Sequence, residues 1–245
     1  FHFPRPTTHP SSPYNMTEFY LIFFPAIVNL GLGVYAWSRN PDARENRLLA
    51  LSCLGLSVYC FRTFEANTRP IEVAELIFPL FTFGPLIAGA ALSDFLMTIA
   101  RRPLLPWRWP EIALIYIPIV LFSIGDIFTD WFYHGIEVTD TGAFLPQPGP
   151  FTPVSNYFLL SLLLIALSKS IRSIFSSSEY NQHQQLIWSV GGIGICVASI
   201  IALLHLPRSI IPYSDTTIFM TIFVAFSTNL IAGTMVYAIS RYGLA

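Results

Sequence analysis

The chain has 245 residues, of which 53% are hydrophobic and only 11% are charged, and its formal net charge is −1. Soluble domains carry roughly 25% charged residues, so this composition excludes an ordinary soluble domain, and the lack of a basic excess argues against a nucleic-acid binder. Apolar runs of helical length recur along the whole chain, which predicts an all-α membrane protein rather than a β-barrel.

The first sixteen residues differ from everything that follows. Their sequence begins FHFPRPTTHPSSPYN, which contains four prolines and one arginine. It lacks the cationic start and apolar stretch of a signal peptide. The predicted domain organisation is therefore a Pro-rich extracytoplasmic arm at 1–16 and a seven-transmembrane helical domain at 17–245.

Seven apolar segments follow, each close to the ~20 residues that a helix needs to cross a bilayer. The connections between them are short, except for a long loop that holds glycine, proline and acidic residues at 133–152. The predicted spans are 17–37, 48–66, 74–100, 111–132, 153–171, 186–206 and 216–240.

Basic residues predict the orientation of these spans. Nine of the thirteen lie in alternate connections, on one side of the predicted bundle. Because cytoplasmic loops carry an excess of Lys and Arg, the C-terminus is predicted to be cytoplasmic and the N-terminus outside. The nine are Arg39, Arg44, Arg47, Arg101, Arg102, Arg108, Lys169, Arg172 and Arg241.

Small residues on two spans indicate where helices pack. Lipid provides no hydrophobic drive between helices, so close packing relies on Gly and Ala. Both spans are therefore interpreted as central packing helices. The alternative is a ligand that approaches the backbone at the glycines. The residues are Gly84 and Ala88 in the third span, and Gly191, Gly194, Ala198 and Ala202 in the sixth.

Asp94 is a candidate functional residue because it lies within the third span. An ionisable side chain at that depth is costly and often has a function. Such a residue can transfer a proton, bind an ion or take part in signalling. The alternative is pairing with a basic residue at the inner surface, such as Arg101 or Arg102.

Two further candidates, Arg62 and Glu65, lie near the outer end of the second span. With Arg69 they have spacings of three and four, which allow ion pairs on one helix. The alternative is a pocket that recognises an anion or a polar ligand.

Asp126 is the fourth candidate for ligand or signal binding. Asp126, Asp130 and His134 recur every four residues at the outer end of the fourth span, a pattern that could bind a divalent cation or form a solvated edge. Because no zinc-type motif accompanies them, no metal site is predicted.

Several absences limit the function classes. The only lysine is Lys169, at a span end, whereas a retinal Schiff base needs a lysine in mid-membrane. No P-loop or HExxH motif occurs, and the cytoplasmic loops are too short for a catalytic domain. No enzyme activity is predicted, no catalytic residue is proposed, and the sequence assigns no cofactor.

Three stretches carry a resemblance to a known family. They are WSRNPDARENRLLALSCLGLSVYCF from Trp37, SSSEYNQHQQLIWSVGGIGICV from Ser176, and LIAGTMVYAISRYGLA from Leu230. Their order resembles the N-terminal seven-transmembrane sensor region of bacterial histidine kinases, which is also found before diguanylate cyclases. In that family the last helix ends in a similar Tyr-Ala-Ile-x-Arg-Tyr-x-Leu stretch. The resemblance runs from Thr17 to Ala245 and implies no universal ligand residue.

The resemblance implies a non-catalytic sensor that detects a small or lipophilic signal and passes it to a cytoplasmic output domain, in the bacterial cytoplasmic membrane. The expected partners are the lipid bilayer and that output domain or other membrane subunits, with no nucleic acid. The alternative is an accessory subunit of a larger respiratory or photosynthetic membrane complex, in contact with subunits, lipids or pigments. A third hypothesis, a small-solute or ion transporter, rests on Asp94 and a threonine stripe in the seventh span.

Overall fold

The computed structural model describes residues 16–68, 71–138, 144–204 and 216–242. Apart from Met16, the predicted Pro-rich arm lies outside the described residues. Within them the chain forms eight helices and one antiparallel pair of strands. In chain order these are α1 (Met16–Arg39), α2 (Arg44–Thr68), α3 (Ile71–Leu80), α4 (Phe83–Ile99), α5 (Arg108–Phe128), β1 (Tyr133–Val138), β2 (Phe144–Pro148), α6 (Thr152–Ser176), α7 (Tyr180–Leu204) and α8 (Thr216–Tyr242).

The helices match the predicted spans, and α3 and α4 together form the third. Four apolar stretches in the described residues are long enough to cross a membrane, which confirms the all-α membrane fold. They are Arg44–Glu65, Ile71–Ile99, Arg108–Phe128 and Thr152–Ser176. The predicted orientation of the bundle in the membrane stays a prediction.

A break divides the third span between Leu80 and Phe83. Pro85 explains its position. A proline ring clashes with the carbonyl group four residues earlier, which here belongs to Phe81, and proline has no N–H to donate to that carbonyl. Pro85 is tolerated in the first turn of α4, where its missing N–H would have no helical partner.

The connection between α5 and α6 contains a β-hairpin that the sequence analysis did not predict. Strands β1 and β2 pair in antiparallel fashion, with Glu137 opposite Leu145 and Tyr133 opposite Pro148. The hairpin lies at the end of the bundle where α2 and α5 end and α4 and α6 begin. We call this the hairpin end, and the opposite end, where the nine basic residues of alternate connections lie, the arginine end.

Helix α4 lies at the centre of the bundle and contacts α2, α5, α6 and α7. Twelve of its 17 residues are buried, including Phe95, Leu96 and Met97. By contrast, only four of the 21 residues of α5 are buried, and Ile117, Val120 and Leu121 are exposed. This difference makes α4 the core element and leaves the outer face of α5 for lipid.

Glycine permits a close approach of the backbones of α2 and α4. A Cβ atom added at Gly55 would lie 2.6 Å from the Gly84 carbonyl oxygen and 2.7 Å from the Ala88 amide nitrogen. A Cβ atom added at Gly84 would lie 2.6 Å from a methyl group of Val58. Gly84 and Ala88 thus lie in this contact, but its essential partner, Gly55, was not predicted.

The contact between α7 and α8 requires a correction. Gly191, Gly194 and Ala198 are exposed, and no described atom lies within 4 Å of a Cβ added at either glycine. It is Gly192 that faces α8, against the Thr234 side chain. One residue corresponds to about 100° around a helix, so the predicted glycines face another direction. The Ala202 side chain lies outside the described residues.

Replacement of Gly55 should separate α2 from α4. Because the new methyl group of Gly55→Ala meets backbone atoms, which cannot rotate away, we expect destabilisation of about 1–3 kcal/mol. Gly31→Ala is the matched control, since no described atom lies within 4 Å of its added Cβ. Thermal unfolding of both variants in detergent would measure the difference, and equal melting temperatures would contradict the close packing.

Candidate functional site

A pocket of about 280 Å³ lies at the hairpin end. Helices α2 to α6 form its walls, and both strands of the hairpin contribute to its rim. Its lining combines polar side chains with apolar residues that lie deeper along their helices. The lining residues are Arg62, Phe78, Thr82, Pro85, Leu86, Phe122, Asp126, Phe132, Tyr133, Gln147, Pro148, Thr152, Ser155, Asn156 and Leu159.

Arg62 extends from α2 into this pocket and is only 8% exposed. Its Nη1 atom donates a hydrogen bond to Thr82 Oγ1 at 3.1 Å. The guanidinium carbon lies 4.1 Å from the centre of the Phe78 ring, and the Tyr133 ring stacks on Phe78 at 4.8 Å. A cation over an aromatic face is attracted by the ring quadrupole. These contacts hold Arg62 in place, while its Nε atom has no hydrogen-bond partner.

Asp126 faces the same pocket from α5 and is 4% exposed. Neither of its carboxylate oxygens has a hydrogen-bond partner. Thr82 lies close enough to influence the carboxylate, but its hydroxyl donates its hydrogen to the Phe78 carbonyl oxygen at 3.0 Å. The carboxylate attracts the Arg62 guanidinium without a direct salt bridge. The pocket therefore contains two opposite charges with unused hydrogen-bonding atoms.

This burial contradicts the interpretation of Asp126 as part of a solvated edge with Asp130 and His134. Those two residues are exposed, whereas Asp126 points inward. Among the residues that the structure describes, no group of three potential metal-ligating side chains comes together. The spacing of four was compatible with one helical face, but α5 ends at Phe128, so the three side chains do not share a helix.

Tyr133 completes the polar rim from the first position of β1. It is only 9% exposed and packs against Phe78. Burial raises the pKa of Tyr133, the carboxylates of Glu75 and Asp126 raise it further, and Arg62 opposes them. The phenol therefore stays protonated at neutral pH. Its hydroxyl has no hydrogen-bond partner and can donate to a bound molecule.

A second ionic site lies at the arginine end. Arg44 Nη2 donates to Asp94 Oδ1 at 2.6 Å, and the Tyr116 hydroxyl lies 3.4 Å from Asp94 Oδ2. This contact agrees with the alternative that Asp94 pairs with a basic residue at the inner surface, but the partner is Arg44. The side chains of Arg101 and Arg102, which were given as examples, turn towards the α6–α7 connection. There Arg101 pairs with Glu179 at 2.6 Å, and Arg102 donates to Ser176 Oγ at 2.9 Å.

Helix α7 links the end of α4 to the end of α8. Gln182 Nε2 donates to the Ile99 carbonyl oxygen at 2.9 Å, and Gln185 Nε2 donates to the Tyr242 carbonyl oxygen at 3.1 Å. The Tyr180 ring also meets the Tyr242 ring edge-on, with centroids 6.3 Å apart. Helix α7 therefore contacts both the end of α4 and the end of α8.

The four candidate residues thus fall in different places. Arg62 and Asp126 meet in one pocket, Asp94 lies at the opposite end, and Glu65 is outside the pocket lining. Arg69 lies outside the described residues. The sequence analysis did not identify Phe78, Thr82 and Tyr133 as pocket residues. The spacing of four between Phe78 and Thr82 is compatible with one helical face and could have indicated the first two. The segment YHGIEVTDTGAFLPQP has two β-prone runs around a turn-like TDTG, which could have indicated the hairpin.

Substitution of Asp94 should destabilise the protein more than substitution of Glu179. Both acids pair with an arginine at 2.6 Å, but the Asp94 side chain is 3% exposed and the Glu179 side chain is 52% exposed. Loss of a buried partner leaves a charge poorly compensated, so we expect Asp94→Asn to cost about 1–3 kcal/mol. Glu179→Gln should cost about 0–1 kcal/mol. Detergent unfolding curves measure both costs, and a larger loss for Glu179→Gln would refute this assignment.

The family comparison agrees with this architecture. No match is found among curated proteins. A family model described as the N-terminal 7TM region of histidine kinase matches residues 21–244, which is nearly the whole chain. This match confirms the resemblance that the sequence analysis found, and with it the seven-span helical fold of a membrane sensor region. The chain belongs to the family of N-terminal 7TM regions of histidine kinases.

Proposed function

We propose that a signal molecule binds in the pocket at the hairpin end and that the bundle passes this event to a cytoplasmic output. The family is that of a sensor-like membrane domain. The observation that carries the proposal is the pair of buried, incompletely hydrogen-bonded charges of Arg62 and Asp126 in a pocket of about 280 Å³. Unsatisfied buried polar groups are costly, which favours a role in binding.

Helix α4 provides the path from the pocket to the output side. Pro85 and Leu86, in its first turn, line the pocket, and Ile99, its last residue, accepts the hydrogen bond from Gln182. A packed helix moves largely as one body, so a ligand that shifts the start of α4 also shifts its end. Through α7 this shift reaches Tyr242 at the end of α8. A ligand acts in this way if it binds two arrangements of these helices with different affinities.

The charge distribution supports the direction of the signal. The arginine end carries the basic excess expected of a cytoplasmic face, which supports an extracytoplasmic location for the pocket. We infer a bacterial cytoplasmic membrane from the histidine-kinase family. The same family favours the sensor over the accessory-subunit hypothesis. Purification as a stoichiometric complex with respiratory or photosynthetic subunits would reverse that preference.

Removal of the Asp126 charge should change the output. In a chimera that joins Ala245 to the dimerisation and catalytic domains of a histidine kinase, we expect Asp126→Asn to change autophosphorylation at least about twofold. The physical reason is that loss of the attraction to Arg62 rebalances the helix arrangements around the pocket. Asp130→Asn is the matched control, since Asp130 is exposed and outside the pocket lining.

A distance measurement on the same variants tests the path itself. Spin labels at Phe175→Cys and Arg241→Cys, both exposed, report the separation of the α6 and α8 ends. The native cysteines Cys53, Cys60 and Cys196 are buried. We expect Asp126→Asn to shift this distance distribution and Asp130→Asn to leave it unchanged. Unchanged distances and unchanged autophosphorylation in Asp126→Asn would refute the proposed function.

A further inference from the structure

Buried, unpartnered atoms of three lining residues define the chemistry of a ligand. Arg62 Nε offers one hydrogen-bond donor, both oxygens of Asp126 offer acceptors, and the Tyr133 hydroxyl is also unused. All three side chains are at least nine-tenths buried. A complementary molecule must donate hydrogen bonds to the carboxylate and accept one from the guanidinium group.

The charges of the pocket define the net charge of that molecule. Arg62 and Asp126 carry opposite charges and attract each other across the pocket. No other lining residue carries a formal charge. A ligand with a net charge would add an uncompensated charge at the edge of a membrane-spanning bundle, which is costly. A net-neutral ligand leaves the balance intact.

The size and the deeper walls of the pocket define the rest of the ligand. A volume of about 280 Å³ is slightly below the range of pockets for drug-sized molecules, so the ligand is metabolite-sized. Leu86, Phe122 and Leu159 lie further along their helices than the polar rim and form an apolar wall. The ligand therefore has a polar head and a short apolar body.

From these observations we propose that the pocket binds a small, net-neutral amphiphilic molecule whose polar head bridges Asp126 and Arg62. A primary carboxamide has the matching set of groups. Its amide nitrogen donates to the Asp126 carboxylate, and its carbonyl oxygen accepts from Arg62 Nε. The apolar body packs against Leu86, Phe122 and Leu159. This inference rests on the pocket of the proposed function and adds the class of its ligand.

Three probes with one chain length and different head groups test the proposal. They are hexanamide, hexanoate and hexylammonium, measured by calorimetry and thermal shift on the full chain in neutral-lipid nanodiscs. For the wild-type protein we expect hexanamide to bind at least about tenfold more tightly than either charged probe. Empty nanodiscs provide the correction for partitioning into lipid.

Two variants should change this preference in opposite directions. Asp126→Asn leaves the Arg62 charge alone, so the preference should move towards hexanoate. Arg62→Gln leaves the Asp126 charge alone, so the preference should move towards hexylammonium. Asp130→Asn and Arg108→Gln are the matched controls, because both residues are exposed and outside the pocket, and they should retain the wild-type preference. This opposite movement is not expected of non-specific partitioning.

The outcomes separate this inference from the proposed function. Equal binding of the three probes, tighter binding of a charged probe to the wild type, or an unchanged preference in both pocket variants would overturn the ligand class. If the pocket variants still alter autophosphorylation in that case, the sensor function stands without it. If the two pocket variants shift the head-group preference in opposite directions as expected, the ligand class is supported. That support holds even if Asp126→Asn leaves autophosphorylation unchanged and the sensor function fails.

Discussion

The close contact between α2 and α4 is the constraint on which the rest of the structure depends. Gly55 lets the two backbones approach until Gly84 and Ala88 lie against it. Because lipid provides no hydrophobic drive between helices, such packing replaces the force that assembles a soluble core. Arg62 of α2 contacts Thr82, the residue directly before α4, at the hairpin end, and Arg44 of α2 pairs with Asp94 of α4 at the arginine end. One small-residue contact thereby sets the geometry of both ionic sites.

The buried charges of the two ionic sites are compensated in different ways. At the arginine end, Arg44 contacts Asp94 directly, and Tyr116 lies near the second carboxylate oxygen. A buried carboxylate with such partners is compensated within the protein and has no need of a further one. At the hairpin end, Arg62 uses Thr82 and the Phe78 ring, and Asp126 retains two unused oxygens. The first arrangement is a structural joint between α2 and α4, and the second is a site with capacity for a ligand.

Hydropathy was sufficient for the spans, since their apolar length is a local property of the sequence. The sequence could not identify the inward face of each helix, because the apolar residues of a membrane helix face both lipid and protein. For that reason Gly191 and Gly194 were chosen in place of Gly192, and a solvated edge was left open as an alternative for Asp126. The partner of Asp94 could not be predicted from the sequence either, since Arg44 lies 50 residues away along the chain. The hairpin was missed because a two-stranded unit in a polar connection gives a short and weak alternation.

The stacking of Tyr133 on Phe78 has a consequence for kinetics. It fastens the hairpin to α3, and both strands contribute to the rim of the pocket. A molecule that enters between the hairpin and the bundle must therefore displace α3 or separate this ring pair first. Helix and loop displacements of this kind take microseconds to milliseconds. Binding that moves the hairpin relative to α3 is then limited by the protein's own motion, with an association rate below that of a diffusion-limited encounter.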